Sequence, residues 1–313
     1  MPGMMTVFHK ELADAFTRWR FIILFALVLI AGIFAIYVAA QNISEAVTKT
    51  ETQFVFLKLF TTSGGNLPSF LSFIVFFVPV IGIALGFDAI NSEKNSGTLS
   101  RLLSQPIYRD AVINGKFLAG VVTIAIMLTS IVMLVSGVGL RMIGVPPSSE
   151  EILRLISFLG VTIIYGAFWL GLAILFSIFF RRVATSALAT IAIWIFFIFF
   201  MLMFAGLIAN MIVPVDQHST HQELLRNAQV SLMTMRLSPI TLFQEAVVVF
   251  LVPGIRTLGY IPETMSRWML PNPLSFGQSL LIVWPHLVSL VALTVVCFAI
   301  SYIKFMREEI RST

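Results

Sequence analysis

The sequence predicts an all-α polytopic membrane protein, and three observations support that fold class. Hydrophobic residues make up 58% of the 313-residue chain, whereas Asp, Glu, Lys and Arg together make up only 11%. Several apolar runs approach or exceed the roughly 20 residues that a helix needs to cross a hydrocarbon core about 30 Å thick. Charged residues cluster in the segments between those runs. Soluble domains of this length carry far more charge, so the composition describes a membrane domain.

The N-terminal segment 5–20 shows helical periodicity ahead of the first long apolar run. Val7, Leu12 and Phe16 fall on one side of a helix, and Lys10 and Arg18 fall on the other. This pattern predicts a helix that lies in the membrane interface and leads into the first span. A secretory signal peptide is the alternative, but the polar lead-in is long and the following run has the length of a full span.

Six apolar runs are predicted to cross the bilayer. They occupy residues 21–40, 69–87, 117–140, 155–180, 183–213 and 280–303. The segments on one side carry most of the basic residues, and the positive-inside tendency makes that side the cytoplasm. We therefore expect one transmembrane domain over residues 1–313, multi-pass in the cell (inner or plasma) membrane, with both termini cytoplasmic. The net positive charge is read as membrane anchoring, with no nucleic-acid partner.

The outer segment 214–279 is the least regular part of the chain. Residues 239–252 are apolar enough to enter a membrane but short for a full crossing, and several prolines follow them. A seventh span here would place Lys304 and Arg307 outside, against the charge bias. The sequence thus predicts a re-entrant or interfacial helical hairpin between the fifth and sixth spans.

Ionisable residues are scarce inside the predicted spans. The first five contain no Asp, Glu, Lys, Arg or His, and the sixth contains only His286 near one end. Ion-coupled carriers, intramembrane hydrolases and metalloproteases need ionisable groups at depth. The sequence Asn114-Gly115-Lys116 lacks the earlier glycine and the following Ser or Thr of a Walker phosphate loop. We expect no enzyme, cofactor or metal in this chain, so energy for uphill transport would come from another chain.

The central loop 88–110, between the second and third spans, is dense in charge and turn residues. Gly97 ends the preceding helix, Thr98 can cap a new one, and the residue before Pro106 is biased away from helix. Between these two limits there is room for a helix of about two turns over residues 98–105. Their leucines, Leu99, Leu102 and Leu103, share one face. A helix this short is marginal alone and requires a partner surface.

These residues resemble the central loop of the type 2 membrane permeases of ABC transporters. In that pattern an aspartate ends the second span, and an acidic-basic pair, Gly-Thr-Leu, Leu-Leu, Ser-x-Pro, an arginine and Gly-Lys follow. Here the matching residues are Asp88, Glu93, Lys94, Gly97-Thr98-Leu99, Leu102-Leu103, Ser104-Gln105-Pro106, Arg109 and Gly115-Lys116. The sequence departs from the pattern at two positions. Lys94 stands where arginine is commoner, and Ser100 stands where an acidic residue often follows the leucine of Gly-Thr-Leu. The family's elbow helix, six spans and outer hairpin also match the predicted layout.

The resemblance implies a permease subunit of an ATP-driven transporter, expected to export its substrate. Residues 98–105 would be a coupling helix seated in a groove of a cytoplasmic ABC ATPase subunit, which would bind ATP and Mg²⁺ and hydrolyse the ATP. A second permease copy or a paralogue would complete the path. The coupling residues implied are Glu93, Lys94, Gly97, Thr98, Leu99, Leu102, Leu103, Pro106, Arg109, Arg181 and Arg182. Alternatively, the charged ones among them only anchor helix ends at the headgroups.

The fifth span is rich in aromatic and methionine residues, among them Phe196, Phe200 and Met203. Such a surface can line an apolar path for a lipid-like substrate, or it can face lipid. Two other function classes remain open. A carrier driven by an ion gradient would need coupling residues in the bilayer, and a non-transporting assembly protein would leave the leucine face without a mechanical role.

Overall fold

The computed structural model describes residues 2–47, 54–63, 68–98, 108–216, 219–256, 258 and 273–307. These ranges contain helices and no strand. The helices are α1 (Pro2–Thr17), α2 (Trp19–Val47), α3 (Val55–Thr61), α4 (Phe70–Gly86), α5 (Asn91–Asn95), α6 (Arg109–Ile143), α7 (Ser149–Phe179), α8 (Val183–Ile195), a π-helix (Phe196–Phe200), α9 (Met201–Ile212), α10 (His221–Met235), α11 (Pro239–Leu251) and α12 (Phe276–Arg307).

Six helical segments are long and apolar enough to cross a membrane, which confirms the predicted fold class; the bent pair α10–α11 would be a seventh candidate if its two helices formed one span. The six segments are Trp19–Ile43, Phe70–Asn95, Arg109–Ile143, Ser149–Phe179, Val183–Ile212 and Phe276–Arg307. Each overlaps one of the predicted runs. The helix α1 occupies the predicted elbow position, and its location in the membrane interface stays a prediction.

Helix α7 is the centre of the fold. In its most apolar stretch 83% of the residues are buried, against 17% in the span built from α8 and α9. Close approach of α4 to α7 depends on glycine: a Cβ atom at Gly82 would lie 2.8 Å from the carbonyl oxygen of Gly166. Helices α6 and α12 also pack against α7. The fifth span, by contrast, leaves most of its apolar surface uncovered.

Two helices, α10 and α11, occupy the outer segment. Ser238 caps α11 by accepting a hydrogen bond from the Ile240 backbone N–H, and Pro239 occupies the first turn, where it costs no hydrogen bond. The axes of α10 and α11 meet at 104°. A helical pair is therefore present, and its re-entrant or interfacial position stays a prediction.

Two local features were not predicted from the sequence. The short helix α3 buries Phe56, Leu57 and Phe60 against the bundle, in the segment between the first two predicted spans, where no helix was predicted. The fifth span contains the π-helix Phe196–Phe200, where the hydrogen-bond ladder is widened by one residue.

Candidate functional site

The first part of the central loop is fixed to the end of α7. Ser177 Oγ accepts hydrogen bonds from the backbone N–H groups of Ile90 and Asn91, at 2.8 and 3.1 Å. Asn95 Nδ2 donates to the Arg181 carbonyl oxygen at 3.0 Å. These contacts place the loop directly beside the turn between α7 and α8. The family resemblance gives a coupling role to the central loop and to the Arg181–Arg182 turn, and the described part of the loop lies beside that turn.

A buried lysine joins this loop to two other helices. Lys116 Nζ, on α6, lies 2.8 Å from Glu93 Oε1 in the loop and 2.8 Å from Glu11 Oε1 on α1. The Lys116 side chain is only 5% exposed. Burial alone would raise the pKa of Glu11, but the charge and hydrogen bond of Lys116, with Lys10 and Arg18 nearby, hold that pKa below its ordinary value. Glu11 and Glu93 are thus bridged by one cation.

A second ion pair fixes the start of the first span to the end of α4. Arg20 Nη2 lies 2.7 Å from Asp88 Oδ2, and the Arg20 guanidinium sits 5.2 Å from the centre of the Phe87 ring. Asp88 is itself buried. Both ion-pair clusters line one polar cavity of about 80 Å³ between α1, α2, α4, α6 and α7. Charged contacts therefore tie the membrane end of the central loop to α1, α2 and α6.

The remaining predicted coupling residues are placed as follows. Gly97 adopts a left-handed conformation with φ of 68°, which a side chain would strain, and Thr98 Oγ1 donates to the Glu93 carbonyl oxygen at 3.3 Å. Lys94 lies in α5, Arg109 begins α6, and Arg181 and Arg182 are exposed in the turn before α8. Leu99, Leu102, Leu103 and Pro106 lie outside the described residues, as does the predicted coupling helix 98–105 apart from Thr98.

The predicted substrate-path residues lie on the surface of the chain. Phe196, Phe200 and Met203 are between 39% and 60% exposed. Phe196 packs edge-to-face against Phe204, with ring centroids 5.8 Å apart, so it belongs to an aromatic surface rather than to an internal channel. These side chains can line a path only between this chain and another one.

Sequence reasoning missed a fully buried arginine near the outer ends of the spans. Arg154 on α7 donates to the carbonyl oxygens of Phe250 and Leu274, at 3.2 and 2.6 Å, and to Ser279 Oγ at 3.1 Å. Glu150, one turn earlier, supplies the carboxylate at 2.8 Å. This arginine therefore joins α7 to the outer hairpin and to the start of α12. Its spacing from Glu150 is visible in the sequence, but its distant partners are not.

A second missed cluster connects the outer hairpin with the last span. His286 Nε2 lies 2.5 Å from Glu245 Oε2, and Arg236 Nε lies 3.0 Å from the same oxygen. His286 is 4% exposed, and its Nδ1 atom is buried with no partner among the described residues. The sequence marked His286 as a lone ionisable group at a span end, whereas the fold pairs it with a carboxylate. The described ranges contain no group of three His, Cys, Asp or Glu side chains suited to a metal ion.

Comparison with known proteins agrees with this architecture. The family model described as "ABC-2 family transporter protein" matches residues 5–310. A protein of Pseudomonas aeruginosa described as "Probable ABC transporter permease protein NosY" is 28% identical over 204 residues, covering 63% of this chain and 68% of that protein. The protein of the same description from Stutzerimonas stutzeri is 28% identical over 152 residues, and the match spans half of its length. The chain belongs to the ABC-2 transporter family, as a membrane permease subunit.

Proposed function

We propose that this chain is the transmembrane subunit of an ATP-driven exporter. In this proposal a cytoplasmic ATP-binding subunit exerts force on residues 98–105 of the central loop 88–110, and the loop transmits that force to the spans. The observation that supports this most is the position of Lys116, which links Glu93 of the loop to α6 and α1. A loop that only anchored helix ends at the headgroups would need no buried cation between three elements. Family membership implies the ATPase partner.

The contacts suggest how a push on the loop would reach the spans. Glu93 and Lys116 form an ion pair in which the lysine is buried, and pulling Glu93 away costs about 3–5 kcal/mol because it leaves Lys116 as a buried charge with one partner fewer. Glu93 and the start of α6 therefore move together. Since α6 continues as one helix from Arg109 to Ile143, displacement at its cytoplasmic end tilts the whole span.

Two further contacts would spread the same motion. Glu11 carries it into α1 through Lys116, and Asn95 carries it to the turn before α8 through the Arg181 carbonyl oxygen. The exposed fifth span begins at that turn. A second permease copy or paralogue facing this span would complete a path lined by Phe196, Phe200 and Met203. In this proposal both termini are cytoplasmic, the location is the inner or plasma membrane, and ATP and Mg²⁺ bind only to the partner.

Co-purification tests the proposal. An affinity-tagged chain is expressed in its native host, extracted in mild detergent and examined for a stoichiometric subunit that carries a Walker phosphate loop. We expect Leu102→Asp to abolish recovery of this subunit without reducing membrane insertion, because the charge falls on the leucine face. Ser100→Asp is the matched control, since it adds the same charge off that face, where family members often carry an acid. Unchanged recovery with Leu102→Asp would count against the proposal.

A carrier driven by a proton gradient is the second candidate, because the buried Glu245–His286 pair is an ionisable cluster of the kind such carriers require. Liposomes that contain this chain alone separate the two. Substrate movement driven by an imposed pH gradient supports the carrier, whereas movement only with the ATP-binding subunit and ATP supports the permease.

A further inference from the structure

A narrow apolar groove runs between α6 and α7 near their outer ends. Its floor includes Val132 on α6 and Leu155 on α7, which are buried, and its rims include the exposed Met133 and Ile156. The lining is almost wholly apolar, and the buried ring of Phe56 on α3 borders it. The groove lies on two candidate membrane spans, so its surroundings in a membrane are lipid or another chain. We call it the α6–α7 groove.

The groove has the length of one lipid leaflet. It extends along α6 from Thr129 to Leu140, which is about 16 Å at a rise of about 1.5 Å per residue. Half of a hydrocarbon core of about 30 Å is about 15 Å. The groove is parallel to the two helices and starts beside Pro147 in the outer loop. It therefore reaches from one membrane surface to about the bilayer midplane.

The groove is open along one side, towards lipid or a neighbouring chain. Its empty volume, including the part open to the surroundings, is about 710 Å³. A single extended hydrocarbon chain is the occupant that matches both the leaflet length of the groove and its apolar lining.

The outer end of the groove offers a cation at headgroup depth. Arg141 is exposed and directly follows Leu140, the last α6 residue of the lining. Its guanidinium suits a phosphate oxygen, and it lies at the end where a headgroup attached to a buried chain would be. We propose that the α6–α7 groove binds one acyl chain of a phospholipid from the leaflet opposite the basic loops, with its phosphate at the Arg141 end.

Gly137 provides a direct test, because it lines the groove and a Cβ atom there would meet no atom within 4 Å. A leucine at this position would occupy the groove rather than clash. Gly277 at the start of α12 is the matched control, since a Cβ atom there also meets open space and the residue lies outside both the groove and the fifth span. The purified chain is equilibrated with phosphatidylglycerol in mild detergent, and retained lipid is counted by native mass spectrometry.

We expect Gly137→Leu to lower the occupancy of one retained phosphatidylglycerol at least fivefold, and Gly277→Leu to leave it unchanged. Equal retention in all three proteins would overturn the proposal. Loss of a dimer with unchanged lipid retention would also overturn it, by assigning the groove to a second copy of the chain.

A measurement on the unaltered protein covers the case in which Gly137→Leu fails to fold. The wild-type chain is placed in vesicles containing phosphatidylglycerol with a diazirine in its acyl chain, and the cross-linked peptides are sequenced after illumination. We expect labelling of residues 129–140 and 152–159 at least fivefold above that of the exposed face of α2. Labelling no higher than on α2 would contradict a defined acyl-chain site.

Discussion

Lys116 Nζ lies 2.8 Å from both Glu93 Oε1 and Glu11 Oε1, so one buried cation holds the central loop and the N-terminal helix together. Lys116→Met keeps much of the side-chain volume but leaves two carboxylates without their cation. We expect it to destabilise the fold by about 1–3 kcal/mol, because the two carboxylates left without a cation are partly exposed. Unfolding of the purified chain in mixed micelles, followed by circular dichroism, measures this effect.

Lys10→Met is the control for this prediction. Lys10 is 54% exposed and lies 3.6 Å from the same Glu11 oxygen, so solvent screens its interaction. We expect a much smaller change than for Lys116→Met. Equal effects of the two variants would show that Lys116 is not the link described above.

Arg154 yields a second prediction, because it holds the hairpin and the start of α12 to α7. Arg154→Met removes the charge and leaves the Phe250 and Leu274 carbonyl oxygens without this donor. We expect a loss of at least about 3 kcal/mol and faster amide hydrogen exchange in residues 239–251. Arg154→Lys restores the charge but not the forked donor geometry, so it should rescue only part of the stability. Arg226→Met, at an exposed position of α10, should change neither quantity.

The Glu245–His286 contact predicts energetic coupling between α11 and α12. We expect Glu245→Gln and His286→Gln to be non-additive in a double-mutant cycle, with a coupling free energy of about 1–3 kcal/mol. The free energies are measured by unfolding of the four proteins in mixed micelles. Additive effects would mean that the two side chains do not interact in the folded chain.

Replacing Gly82 by alanine is expected to lower the stability of the chain, whereas the same replacement at most helical glycines raises it. Replacing an open helical glycine by alanine stabilises a helix by up to about 1 kcal/mol, and this is expected for Gly206→Ala. At Gly82 the new Cβ atom would lie 2.8 Å from the Gly166 carbonyl oxygen, a backbone atom. We expect Gly82→Ala to destabilise the chain by about 1–3 kcal/mol. A gain in stability at Gly82 would contradict the close packing of α4 on α7.

The spans were predictable because each depends on a local property, the length of an apolar run. The helix at 239–251 was predictable for the same reason, because the apolar stretch 239–252 is short and is preceded by polar residues, whereas the re-entrant or interfacial hairpin stays a prediction. Local signals also located the turn at Gly97, where the structure has a positive φ angle. The predicted leucine face stays a prediction, since Leu99, Leu102 and Leu103 lie outside the described residues.

The charged contacts were not predictable because their partners are far apart in the chain. Lys116 and Glu11 are separated by 105 residues, and Arg154 and Leu274 by 120. Composition suggests that such residues are membrane anchors, and only the fold shows that Lys116 and Arg154 are buried. The π-helix Phe196–Phe200 has no sequence signature, because its run of aromatic residues is equally compatible with a regular α-helix.

Site-specific photo-crosslinking at Leu102 tests the coupling proposal most directly. A benzophenone amino acid replaces Leu102 in the full-length chain, which is expressed in its native host and illuminated in intact membranes. We predict an adduct between this chain and a separate ATP-binding subunit. No such adduct is expected when the same probe replaces Leu140, which lies near the end of α6 far from the central loop. Adducts at position 102 that contain only lipid, or only this chain itself, would contradict the proposal that a separate motor drives the loop.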